Sequence, residues 1–155
     1  MTIRLVPISR ESFPQWVQRS AAAYETDLVA TGVSPEGARA QAESAIVAAF
    51  PEGEPSADNA VFDIVDPAGA PVGYAWVGRD RSGDPSSWWV WDISIDPECR
   101  GRGYGRGGME LAEEYARTRG ATTLGLSVFG FNAGARGLYE SLGYETTSIK
   151  MRKSL

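Results

Sequence analysis

Arg100-Gly101-Arg102-Gly103-Tyr104-Gly105 follows an apolar, strand-like run from Trp88 to Ile95 and precedes a helix-like segment from Gly107 to Arg119. That order builds a cradle for an anion. At a helix N-terminus several backbone N–H groups point outward without partners, the helix dipole adds partial positive charge, and glycines let a phosphate approach the backbone. The arginines at 100, 102 and 106 add a positive patch to a chain whose formal net charge is −5. A phosphorylated ligand is therefore expected. Nucleotides, dinucleotides and coenzyme A all present phosphates to such loops.

Outward from this stretch the sequence alternates in a readable order. Upstream, Ala60 to Asp66, Val72 to Arg79 and Ser87 to Ile95 are apolar, β-rich runs separated by the turn clusters Pro67-Ala68-Gly69-Ala70 and Asp80 to Pro85, an antiparallel meander. On the last run a strand period of two puts Trp89, Trp91, Ile93 and Ile95 on one face and Val90, Asp92, Ser94 and Asp96 on the other. Downstream come a helix over about 103 to 119 with a stop at Gly120, a strand from Thr123 to Val128, a helix from Asn132 to Leu142 with a stop at Gly143, and a strand from Tyr144 to Arg152. The crossover helix implies a parallel strand pair inside a mixed sheet. Before the meander, Thr2 to Val6 reads as a short strand. Ser9 or Ser12 could cap a helix carrying Trp16, Val17, Ala21, Tyr24 and Leu28, which Gly32 ends; Ser34-Pro35-Glu36 then opens an alanine-rich helix toward Phe50.

Composition narrows the chemistry. A chain of 155 residues fits one α/β domain over residues 1–155, long enough to bury roughly two-thirds of its unfolded surface. No apolar run approaches the roughly 20 residues that span a bilayer, and the N-terminus lacks a secretory pattern, so no membrane partner and a cytoplasmic location are expected. The single cysteine, Cys99, excludes an internal disulfide and cannot alone hold a metal, so no metal is expected. With no histidine, acid–base work falls to carboxylates, Tyr, Lys, the lone Cys or water. The acidic balance disfavours nucleic acid as a partner and mildly favours a cation.

Gly103-Tyr104-Gly105-Arg106-Gly107-Gly108 fits G-x-G-x-x-G, but a dinucleotide fingerprint follows the first strand of a βαβ unit and is answered by an acid about 20 positions on. Leu124 to Val128 carries no acid, too little chain follows, and a Walker A loop fails for want of Gly-Lys-Ser/Thr. The better match is Arg/Gln-x-x-Gly-x-Gly/Ala, present as Arg100, Gly103 and Gly105. A second segment, Asn132-Ala133-Gly134-Ala135-Arg136-Gly137-Leu138-Tyr139-Glu140-Ser141-Leu142-Gly143-Tyr144, looks like Asn-x-x-Ala-x-x-Leu-Tyr-x-x-x-Gly-Phe/Tyr. With both motifs in order, the chain resembles the GCN5-related N-acetyltransferase family, specifically over residues 88–152, topologically over 60–87 and weakly before that.

The resemblance implies a mixed central sheet of six or seven strands flanked by about four helices, with the fourth and fifth strands splayed apart. It implies acetyl-CoA as cosubstrate, with backbone groups of Ile93, Ser94 and Ile95 on the pantetheine and thioester and the loop Arg100, Gly101, Arg102, Gly103, Tyr104 and Gly105 on the pyrophosphate. Asn132 would serve as a ligand or cap its own helix, roles that are compatible. Tyr139 would be the general acid that protonates the departing thiolate; the competing role is a core tyrosine beside Leu138 and Leu142. A phenol of pKa about 10 can donate to a thiol of pKa about 8.5 without being ionised at neutral pH.

An amine acceptor is mostly protonated at neutral pH, and something must accept its proton. Asp92, a carboxylate in the middle of a strand, is costly to bury unless it is paired or hydrated. It could act as base or water relay, hold the acceptor ammonium, or form a structural pair. Trp88, Trp89 and Trp91 with Tyr24 and Glu25 could make an aromatic, acidic acceptor pocket, or simply pack. Cys99, close to the loop, could carry an acyl group, although the family usually transfers directly in a ternary complex. The expectation is an N-acetyltransferase acting on a primary amine, small molecule or protein amine; the alternative is a noncatalytic acyl-CoA-binding or sensing module. The last strand, if exposed, could pair with another chain as a homodimer.

Overall fold

A computed structural model describes residues 2–155. Its elements are β1 (Arg4–Pro7), α1 (Phe13–Ala30), α2 (Pro35–Ala49), β2 (Asn59–Val65), β3 (Pro71–Arg79), β4 (Ser87–Ile95), a 3-10 turn (Pro97–Cys99), α3 (Tyr104–Thr118), β5 (Thr123–Leu126) and α4 (Ala133–Ser141). The strands form one sheet in chain order, antiparallel from β1 to β4 and parallel between β4 and β5, with α3 as the crossover. The fold is the expected α/β arrangement with four helices, but the sheet has five strands rather than six or seven.

Local chemistry places the helices. The Ser34 hydroxyl accepts from Gly37 N–H at 3.1 Å, with Pro35 in the first turn, as its sequence signature requires. At α1 the work is split: Ser12 stands at the N-cap without a side-chain cap bond, and the Ser9 hydroxyl accepts from the Ser12 N–H at 3.1 Å. Gly103, left-handed at φ 84°, is the N-cap of α3. On α3, Tyr104, Gly108, Met109, Ala112 and Ala116 form the buried stripe. The absence of a side chain at Gly108 brings this helix close to the sheet, since a Cβ there would stand 3.0 Å from Ile64 Cδ1.

The sheet is covered on both faces. Against α3 lie Ile64, Ala75, Val77, Trp88 and Val90; on the opposite face Tyr74 and Trp76 join Phe13 and Trp16 of α1 and Phe50 in an aromatic cluster. Each such burial stabilises by roughly 1.5–3 kcal/mol before entropy is counted.

Two expectations are corrected here. The alternation of faces along β4 is broken by a register shift: Trp76 pairs with Asp92 and the next residue, Val77, pairs with Val90. Trp91 and Asp92 thus stand together opposite Trp76, a β-bulge that reverses the parity of the rest of the strand. Trp88, Val90, Ile93 and Ile95 pack with the α3-facing core, whereas Trp91 stacks on Trp76 at 5.8 Å on the other face. The second correction concerns the tail. Residues 144–152 form no strand, because Ile149 and Met151, the apolar positions of the alternation, are 76 % and 92 % exposed. Alternation without a layer to cover it does not hold a strand in a ladder.

Candidate functional site

The loop after β4 presents backbone, not side chains. Among the described residues no backbone N–H from Gly101 to Arg106 reaches a backbone acceptor; the first that does is Gly107, which donates to Gly103 O at 3.0 Å. Gly101 (φ 77°) and Gly103 are left-handed, and a Cβ on either would meet nothing within 4 Å, so the concave surface is open. Six free donors around a helix N-terminus suit an anion. The arginines brace the loop from outside: Arg100 Nε donates to Ile95 O at 2.9 Å, Arg102 lies 3.5 Å from Glu98 O, and Arg106 donates to Ser141 Oγ at 2.7 Å.

Beside the loop the sheet opens. β5 pairs with β4 only from Ser87↔Thr123 to Val90↔Leu126, so the edge of β4 from Trp91 to Ile95, which includes Ile93 and Ser94, has no partner strand on that side. This is the expected splay between the fourth and fifth strands. The bulge lies at the point where the pairing stops.

Helix α4 borders the same opening. The Arg106–Ser141 bond ties it to the start of α3, and Leu138 lies within contact distance of a Cβ built at Gly105. Tyr139 is largely enclosed, beside Tyr144 at 6.1 Å between ring centroids, and its hydroxyl makes no hydrogen bond among the described residues. Burial, with a smaller effect from the Asp92 charge, raises the Tyr139 hydroxyl above its ordinary pKa. Tyr139 is therefore a protonated donor at neutral pH, close enough to Asp92 to feel its charge. Asn132 caps α4 by accepting from Ala135 N–H at 3.2 Å.

Asp92 is held by two donors that sequence reasoning missed. Ser20 of α1 donates to its Oδ2 at 2.6 Å and Tyr74 of β3 donates to the same oxygen at 2.8 Å. Burial raises the Asp92 carboxyl above the usual carboxylate range, against the pull of these two donors. Oδ1 receives no side-chain hydrogen bond among the described residues, the Ile93 backbone N–H also supports the carboxylate, and the residue keeps some contact with solvent. Arg19 completes the group by lying over the Tyr74 ring at 5.0 Å and pairing with Asp96. A tyrosine inside the apolar run Val72 to Val77 was the available signal, since a buried phenol needs an acceptor.

The tryptophans do not converge into a pocket. Trp88 is 1 % exposed in the α3-facing core and donates its indole N–H to Pro85 O. Trp89 lies over Gly125, where a Cβ would stand 2.3 Å from its ring, and Trp91 is flanked by Trp76 and Arg81. Tyr24 turns instead toward Phe129, at 6.5 Å, while Glu25 lines the separate cleft between α1 and α2. Cys99 is half-buried against the core. The described residues contain no group of three or more His, Cys, Asp or Glu arranged to hold a metal, and no helix among them is long and apolar enough to cross a membrane.

The β4–β5 pair splays beside an open glycine loop at the start of α3, and Tyr139 on α4 packs against the α3-facing core. The Acetyltransferase (GNAT) family matches residues 34–144, and the chain belongs to that family. It is 26 % identical over 156 residues to the N-acetyltransferase YycN of Bacillus subtilis, covering all of both chains, and the crystal structure of YycN superposes with a TM-score of 0.90 over 99 % of each. A second Bacillus subtilis N-acetyltransferase, YdgE, is 27 % identical over all of this chain. A shorter stretch of 61 residues, 39 % of this chain and 41 % of the relative, is 41 % identical to the ribosomal protein bS18-alanine N-acetyltransferase of Salmonella typhimurium. All three relatives carry the name N-acetyltransferase, YycN and YdgE as uncharacterized members.

Proposed function

We propose that the protein transfers the acetyl group of acetyl-CoA directly to a primary amine in a ternary complex. The observation that carries this reading is the juxtaposition of two groups of opposite duty. Tyr139, a protonated phenol, and Asp92, a carboxylate with one oxygen free of side-chain donors, lie within electrostatic reach beside the unpaired half of β4. The residues present fit acetyl-CoA: the six free N–H groups and the open surface over Gly101 and Gly103 suit a pyrophosphate, and the unpaired edge of β4 at Ile93, Ser94 and Ile95 suits an extended amide-bearing arm. When bound, acetyl-CoA supplies the acyl group as an activated thioester.

Asp92 Oδ1 takes a proton from the incoming ammonium, which frees the nitrogen lone pair for attack. Its raised pKa makes it a stronger base than an ordinary carboxylate, and the bonds from Ser20 and Tyr74 to Oδ2 fix the carboxylate in place. The Tyr139 hydroxyl gives its proton to the sulfur as the C–S bond breaks, and recovers one from the nitrogen once the C–N bond has formed. Unpaired β4 N–H groups stand where a developing oxyanion would need donors. Asn132 fixes the start of α4 and thereby the position of Tyr139.

Tyr139→Phe tests the assignment. CoA affinity by calorimetry should be unchanged and turnover should fall by about 10²-fold or more. Equal turnover in both proteins would remove Tyr139 as the acid. Acetyl-CoA binding by the native chain without turnover of any amine would favour a binding module.

A further inference from the structure

Two phenylalanines that the acetyl-transfer reading does not use lie in the loop that leads from the splayed end of β5 to α4. Phe129 and Phe131, in the loop between β5 and α4, stack with ring centroids 5.6 Å apart, and Phe129 meets Tyr24 of α1 at 6.5 Å. Phe131 is 57 % exposed and Tyr24 39 %. Three adjacent aromatic rings left partly in water form an apolar surface one helical turn from Ser20, the residue that holds Asp92, the arrangement expected where a ligand supplies the missing cover.

Position ties this wall to the chemistry. Ser20, one helical turn before Tyr24, donates to Asp92, and Asp27, nearly one turn after Tyr24, lies close enough to Asp92 for its charge to raise the Asp92 carboxyl. Asp27 is half-buried and makes no salt bridge among the described residues; Arg19, about two turns earlier on α1, is committed to Asp96 and the Tyr74 ring, and the Arg152 guanidinium lies against Gly32 beyond the end of the helix. An unpaired, partly desolvated carboxylate beside an aromatic wall complements a cation attached to an apolar body.

We propose that the acceptor is a small arylalkyl monoamine, its ammonium held between Asp27 and Asp92 and its aromatic body lying on Tyr24, Phe129 and Phe131. A polyamine would need further carboxylates along the wall, where the structure has rings. The inference rests on the acetyl-transfer reading for its site but not for its test, which includes binding alone.

The experiment uses the full chain with phenethylamine, n-butylamine and spermidine, measured both by calorimetry with CoA present and by CoA release from acetyl-CoA. Phenethylamine should be preferred over the other two by about tenfold or more in kcat/KM. Phe131→Ala and Tyr24→Ala, both at exposed positions, should erase most of that preference. Asp27→Asn should raise KM for phenethylamine by about tenfold, with a smaller effect on kcat. Preference for spermidine, or an unchanged preference in both aromatic variants, overturns the inference and leaves acetyl transfer standing. Phenethylamine binding that depends on Asp27 and Phe131, without release of CoA, upholds the inference and overturns the transferase reading.

Discussion

Asp92 carries two costs that can be measured separately. Its carboxyl is raised by burial, so the folded chain holds that proton more tightly than the unfolded chain, whose aspartate titrates at about 3.9. The stability associated with the protonated form is complete below that value and is lost as pH rises through the raised folded pKa. Asp92→Asn should therefore melt at the same or a higher temperature than the native chain at neutral pH while losing most turnover, a trade expected where a strained charge is kept for chemistry. Activity has the opposite sign: the base works only when ionised, so kcat should fall as pH drops through the raised pKa. Ser20→Ala, by removing one donor from the ionised form, should move that acid limb to higher pH; an unmoved limb would mean that another group sets it. Sequence alone identified Asp92 as an anomaly and left its role open, because the partners come from α1 and β3, far away along the chain.

At the scale of elements, β4 is defined by what it does not pair with. Gly73 on β3 is pressed against it, and a Cβ there would stand 2.1 Å from Ser94 O, a backbone atom that cannot turn aside. Gly73→Ala should cost about 2–4 kcal/mol in urea unfolding. Gly101→Ala, where the only penalty is a left-handed backbone in open space, should cost roughly 1–2 kcal/mol and show instead as weakened acetyl-CoA affinity. The order of elements was legible because each boundary carries its own chemistry: Ser34-Pro35-Glu36 at the start of α2, and Gly32, Gly120 and Gly143 after the helices that end there. The bulge was not legible. A period of two assumes an unbroken ladder, and nothing in Trp89 to Ile93 announces that Trp91 and Asp92 share one partner. The unformed last strand failed for the complementary reason: its pattern is correct, but a strand also needs a neighbour and a cover, which are properties of the fold.

For the molecule as a whole, charge is arranged in opposition. The chain is acidic, with a net charge of −5, yet the loop after β4 carries Arg100, Arg102 and Arg106, while Asp27 and Asp92 lie near one another on α1 and β4. On the proposed reading, a cationic acceptor would be drawn to the molecule and an anionic donor to one loop of it. Raising salt from low ionic strength through the physiological range, where the Debye length falls to about 8 Å, should lower kcat/KM for a cationic amine. A flat salt response would show that long-range charge plays no part. The six free N–H groups from Gly101 to Arg106 have a further consequence. Every residue type except proline carries the same donor, so on the proposed reading this loop would recognise an anion through backbone shape. Alanine at an exposed side chain of the loop would leave these donors in place, whereas a side chain at either left-handed glycine would weaken the cradle itself.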